Sequence, residues 1–340
     1  MTFTLADLPP GTATGIGSWP GTDAAEAARV VTGELGVLPH LVELPGRGVG
    51  ADLIGRTAAL LVDLAVEVAP SGYRVVPKAG RDHRRAHDFL RRDLDELETA
   101  LERSGATPHA VKVQLAGPWT LAAAVELRNG HRVLTDAGAV AEFTESLAEG
   151  VDQHAAEVHR RTGFPVIVQL DEPSLPGVLA GALPTVSGLS MIPAVPVPDA
   201  EAALRSVLER APGASIVHCC AADVPVALLR RAGADAVGID VALVGVADLD
   251  GIGEALQDGA VLALGLVPTD ADRPPGSLRA LADPALRVLD RLGFPRSVLA
   301  TQVLVTPACG LAGAGTATAQ RVLAHCVELG RAFAEPPESW

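Results

Sequence analysis

Ser215-Ile216-Val217-His218-Cys219-Cys220 is the stretch from which the rest of the chain is read. Ile216-Val217 is a short apolar run of buried-strand type, and its C-terminal end delivers a His and two Cys. Residues two apart in a strand point the same way. His218 and Cys220 therefore aim at one point, while Cys219 faces the opposite side. An imidazole and a thiolate converging from one strand end make half of a zinc site. A further thiol, Cys309, follows the apolar run Val303-Leu304-Val305-Thr306-Pro307-Ala308 and precedes Gly310. The alternative for these residues is a hydrogen-bonded core histidine with small buried thiols.

The same pattern recurs on both sides of this stretch. Apolar runs at 14–18, 40–45, 111–116, 165–170, 236–240, 260–265 and 303–307 alternate with helical patterns. The helices are expected at about 23–35, 51–68, 81–103, 137–161, 200–210 and 316–333, the third of them a charged and solvated face. A strand-like excursion at 72–78 stands outside the alternation. Continuous apolar strands separated by helices indicate a parallel sheet covered on its faces. Eight such strands predict one closed (β/α)8 TIM barrel as the only domain of residues 1–340, with its core at about 12–332. Ser18, Glu43, Asp171, His218, Cys220, Asp240 and Cys309 all fall at or just past strand C-termini, the face where barrel enzymes do chemistry. An open doubly wound sheet would usually carry a glycine-rich phosphate loop, and none stands in the required strand–helix context.

Composition narrows the function. The net charge of −14 argues against nucleic acid or an anionic membrane as partner, since both need a basic face. No apolar run reaches the roughly 18 residues of a membrane span, and residues 1–10 do not read as a signal peptide. Four Cys, two of them adjacent, make a poor disulfide framework in a chain of 340 residues. Metal-binding or catalytic thiols in a reducing cytoplasm fit better.

Six short motifs carry a resemblance: Ile16-Gly17-Ser18-Trp19-Pro20, Gly117-Pro118-Trp119-Thr120, Gln169-Leu170-Asp171-Glu172-Pro173, His218-x-Cys220, Ile239-Asp240 and Pro307-Ala308-Cys309-Gly310. In this order they resemble the catalytic C-terminal barrel of cobalamin-independent methionine synthase, in its single-barrel form, over about residues 12–332. The resemblance implies Zn2+ held by His218, Cys220, Cys309 and a strand-end carboxylate, here Asp240. It also implies homocysteine against Ile16, Gly17 and Ser18, with Asp171 as the catalytic carboxylate that holds its ammonium group. The family's Glu after the second strand does not align cleanly here; Glu43 could replace it, the alternative being a site for a different amine or none, and Trp119 is expected to line the pocket mouth. The partners implied are a small thiol substrate and a methyl donor, folate or another, with a separate donor protein as one source of it.

Three positions depart from the family. Asp240 stands where the family has Glu and is one methylene shorter, a large difference beside zinc–oxygen bonds of about 2.0–2.2 Å. The family's proton-donating His has no counterpart in Pro268-Thr269-Asp270-Ala271-Asp272, and Ala308 replaces its Asp before Cys309. The metal half of the signature is mostly present and the donor half is not.

The expected chemistry is methyl transfer to a thiol. Only the thiolate attacks, and a free alkyl thiol is mostly protonated at pH 7. Zinc favours the deprotonated form, and a shell of two thiolates and a carboxylate leaves sulfur nucleophilic where three His would favour water activation. Three alternatives remain: an alkyl transferase acting on another thiol, a metal-free uroporphyrinogen decarboxylase-like barrel, and a non-catalytic zinc-binding barrel.

Overall fold

The computed structural model describes residues 3–269 and 276–335. Its strands there are β1 (Ala65–Ala69), β2 (Gly72–Val76), β3 (Val111–Ala116), β4 (Val125–Glu126), β5 (Val166–Asp171), β6 (Ser215–Cys219), β7 (Ala236–Asp240), β8 (Val261–Val267) and β9 (Val303–Pro307). Six of them form one parallel sheet in the order β3-β5-β6-β7-β8-β9. Nearly every residue of these strands is buried, as expected when helices cover a parallel sheet. The ladder sets the rim in register: Asp171 lies beside His218, His218 beside Gly238, Asp240 beside Gly265, and Gly265 beside Thr306.

The sheet is a curled, six-stranded half-barrel, and two of the eight expected strands are not regular strands. The segments at 14–18 and 40–45 attach through isolated parallel bridges: Ala13 to Val305 of β9, Ser18 to Glu43, and His40 to Lys112 of β3. Thr14 N donates to Val305 O at 3.0 Å, Glu43 N to Gly17 O at 3.1 Å, and Leu41 N to Lys112 O at 2.9 Å. Glycine and proline explain the missing ladder. Gly17 has φ +146°, and a Cβ there would lie 2.5 Å from the Gln114 side chain. Pro39 and Pro45 bound the second segment and lack the N–H a ladder needs.

The expected helix at 51–68 is also corrected. It runs only from Leu53 to Leu60, capped by the Asp52 carboxylate on the amides of Ile54 and Gly55. Asp63, in the left-handed region at φ +61°, turns the chain into β1, which pairs antiparallel with β2. With β4 these form a separate three-stranded sheet. Glu67 of β1 then receives the Gly80, Asp82 and His83 amides at 2.8–3.2 Å, anchoring the start of the helix Arg81–Ser104. That helix is solvated on one face only. Leu90, Leu94, Leu97 and Leu101 are buried at helical spacing, and so is Asp93.

Leu5 and Leu8 pack on Ile167, Ile216 and Leu304, residues near the N-terminal ends of their strands. That closes the end of the sheet opposite the rim of interest. A larger core extends from Ala13 to Phe333. No helix among the described residues is long and apolar enough to cross a membrane.

Candidate active site

The sulfur side of the rim is built by β6 and β9. Cys220 follows the last residue of β6, and Cys309 follows β9 by two residues. Their Sγ atoms are 3.3 Å apart, a thiol–thiol contact with both sulfurs half-buried. The hydrogen bond with Cys220 lowers the Cys309 thiol to about 6, and the Gly310 amide acts in the same direction. The same contact, together with burial, raises Cys220. Cys219 is wholly buried, and desolvation pushes it up to about 11. Ser18 packs here too: a Cβ on Gly310 would lie 2.1 Å from its Oγ.

His218, two residues before Cys220, links the sulfur side to a carboxylate side. Its Nδ1 is 2.7 Å from Asp171 Oδ1, and its Nε2 is buried without a hydrogen-bond partner. Gly238 on the next strand makes room for the ring, since a Cβ there would approach it to 3.2 Å. A ring with one nitrogen held by a carboxylate and the other free is the arrangement of metal-binding histidines. Asp240 is half-buried and turned along its own chain, Oδ1 accepting the Ala242 amide at 2.9 Å.

The carboxylate side is a closed network. Asp171 Oδ1 also accepts Gln169 Nε2 at 2.8 Å, and that nitrogen lies 2.9 Å from Ile16 O. Gln169 Oε1 accepts Lys112 Nζ at 2.7 Å. Lys112 is wholly buried, and burial draws its ammonium down to about 8 against the opposing pull of Asp171 and Glu43. Glu43 is buried with Oε1 unpartnered, and burial pushes it up to about 7. Glu172, also wholly buried, accepts the Trp119 and Thr120 amides at 2.9 and 2.8 Å and so caps the helix Pro118–Ala124.

Of the residues expected at the site, this rim gathers Ser18, Asp171, His218, Cys220 and Cys309, with Ile16 joining through its carbonyl. Trp119 is not brought to it. The indole N–H donates to Ala200 O at 3.0 Å, and the ring borders a groove formed by the helices Ala137–Thr162 and Val197–Leu208. The metal donors are incompletely gathered. Among the described residues no group of three or more His, Cys, Asp or Glu side chains is close enough to hold an ion. The chemistry of the donors nevertheless suits zinc, with two adjacent thiols and an orphaned imidazole nitrogen on one rim.

Lys112, Gln169 and Gln114 were not singled out from the sequence. The signal was present in Val111-Lys112-Val113-Gln114-Leu115-Ala116, where period-two alternation sends a Lys and a Gln to one face of an otherwise apolar strand. Only two Lys occur in the whole chain.

Comparison with known proteins bears on the fold and the family. Two solved structures share the fold: a B12-independent methionine synthase from Shewanella sp. W3-18-1 in complex with selenomethionine, and a methyltransferase from Methanosarcina mazei. The first is 12% identical with TM-score 0.62, over 96% of this chain and 98% of its own. The second is 14% identical with TM-score 0.55, over 96% and 93%. A search of curated proteins finds no match. The profile of the cobalamin-independent synthase catalytic domain matches residues 11–332. The chain therefore belongs to the cobalamin-independent synthase family, a family of methyltransferases, through its catalytic domain.

Proposed function

We propose that this protein transfers a methyl group to a small amino-acid thiol of homocysteine type, at a zinc ion held by His218, Cys220 and Cys309. Asp240 or a water completes the four-coordinate shell. The observation that carries the reading is the Cys220–Cys309 thiol pair at 3.3 Å, beside a His218 ring whose Nε2 is buried and unpartnered. The same reading takes the bridged segments at 14–18 and 40–45 as the two positions that complete an eight-position barrel.

Each residue has a defined task. Zinc would supply Lewis-acid stabilisation of a deprotonated thiol. Asp171 orients the His218 ring through Nδ1 and so directs Nε2 at the rim. Asp171 Oδ1 already accepts two donors, so Oδ2 is the oxygen offered to a substrate ammonium. Glu43, buried with an unpartnered oxygen, becomes the second acceptor for that ammonium, and the cation repays its desolvation. The Ile16–Ser18 segment receives the substrate carboxylate.

The test is a transfer assay on zinc-loaded full-length protein with homocysteine and an isotope-labelled methyl group. A methylated folate serves as donor in one arm and a methylated donor protein in another. Labelled methionine should form with the wild type and not with Cys309→Ser. Undiminished transfer by Cys309→Ser, or none by the wild type with either donor, contradicts the reading.

A further inference from the structure

We propose that Lys112 is a positioning residue, which sets the hydrogen-bonding direction of the Gln169 amide and through it the substrate-facing carboxylate of Asp171. This rests on the substrate reading above only for where Asp171 points its free oxygen. A lysine ammonium carries three donors and no acceptor. All three have acceptors here: Gln169 Oε1 at 2.7 Å, Ile16 O at 3.2 Å and Gln114 Oε1 at 3.4 Å. Gln169 must therefore turn its oxygen toward Lys112, which forces Nε2 toward Ile16 O at 2.9 Å and Asp171 Oδ1 at 2.8 Å. Without the ammonium, Oε1 loses its charged donor and only the two acceptors around Nε2 hold the amide. A flipped amide would set Oε1 against the Asp171 carboxylate and the Ile16 carbonyl, three acceptors with no donor among them.

The placement explains why a wholly buried cation is kept in a strand that is otherwise suited to Val, Leu and Ile. Lys112 makes no hydrogen bond to a carboxylate, so its hydrogen-bonded link to Asp171 runs through Gln169, alongside the direct attraction of the two charges. One donor-only group thereby holds both a backbone carbonyl of the Ile16–Ser18 segment and the carboxylate beside His218.

The test uses zinc-loaded full-length protein and calorimetric titration with two thiols, homocysteine and its desamino analogue γ-mercaptobutyrate. Lys112→Met should weaken homocysteine by about tenfold or more and γ-mercaptobutyrate by less than about twofold, since only the former uses Asp171. Adding Asp171→Asn to Lys112→Met should cause little further loss, because the two act on one interaction. Equal losses for both thiols, or additive losses in the double variant, would overturn the proposal. If Lys112→Met does not fold, Gln169→Glu carries the same comparison. It keeps a partner for Lys112 but donates nothing to Asp171, so it should show the same selective loss. If the wild type binds neither thiol, the substrate reading falls by itself. The positioning claim is then decided by NMR of the Gln169 side-chain amide protons. Slow exchange in the wild type that is lost in Lys112→Met supports it, and unchanged exchange overturns it.

Discussion

The two sides of the rim are held in opposite ways. On the carboxylate side, Lys112, Gln169, Asp171 and His218 form a continuous hydrogen-bonded chain with every link between 2.7 and 2.8 Å. On the sulfur side, two half-buried thiols hydrogen-bond to each other, His218 Nε2 has no partner, and Asp240 accepts the backbone amide of Ala242. Unpaired buried polar atoms are costly, so a folded protein that carries them has a reason to do so. The carboxylate side is organised by the chain itself. On the proposed reading, the sulfur side is organised by what binds there.

If the carboxylate side is self-organised, its support should be expensive to remove. Glu43 shares its surroundings with Arg56, and Arg56 and Arg47 both pair with the wholly buried Asp93, the Arg47 contacts being 2.7 Å each. Asp93→Ala strands two guanidinium groups in the interior, and urea unfolding should show a loss of about 3–5 kcal/mol. Breaking the exposed Arg160–Glu157 pair should cost less than about 1 kcal/mol. Similar losses at the two places would mean that the trio contributes no special support.

Glu43 sharpens the comparison, because it is the one group on the carboxylate side with an unpartnered oxygen. Burial raises its carboxyl from 4.5 to about 7, so the folded state holds a proton that the unfolded chain releases at lower pH. Its contribution to stability is fully present below pH 4.5 and is lost as pH rises through about 7. The stability of Glu43→Gln relative to the metal-free wild type should therefore rise between about pH 5 and pH 8, by up to about 3 kcal/mol. A pH-independent difference would show that Glu43 has found a partner.

A smaller effect is expected at Asp171 when ligand binding is the readout. Asp171→Asn should weaken calorimetric binding of homocysteine by at least about 1 kcal/mol, as for a lost charge-assisted hydrogen bond. Equal binding by both proteins removes Asp171 from the substrate site.

The sulfur side was the legible one. His218, Cys220 and Cys309 could be picked out because strand alternation is a local rule and thiols are rare in this chain. The carboxylate network was not legible, because Lys and Gln, unlike His and Cys, carry no ligand signature that pairs residues distant in sequence. Lys112 reaches Gln169 across 57 positions, and Gln169 reaches Ile16 across 153. Strand existence was readable wherever apolar runs were continuous. It failed to yield regular strands at 14–18 and 40–45, where glycines and prolines limit pairing to single bridges. At 61–69 the apolar run Leu61-Val62-Asp63-Leu64-Ala65-Val66 fits a helix as well as a strand. The left-handed Asp63 and the pairing with β2 decided it.

The most direct test of the account is the zinc content of the purified full-length protein and its three cysteine variants, prepared with zinc supplied and measured by metal analysis. Wild type and Cys219→Ser should each carry about one zinc per chain, because Cys219 is buried away from the thiol pair. Cys220→Ser and Cys309→Ser should each carry little. A wild type without zinc, or zinc retained by Cys220→Ser and lost from Cys219→Ser, would contradict the assignment of the sulfur side as a metal site.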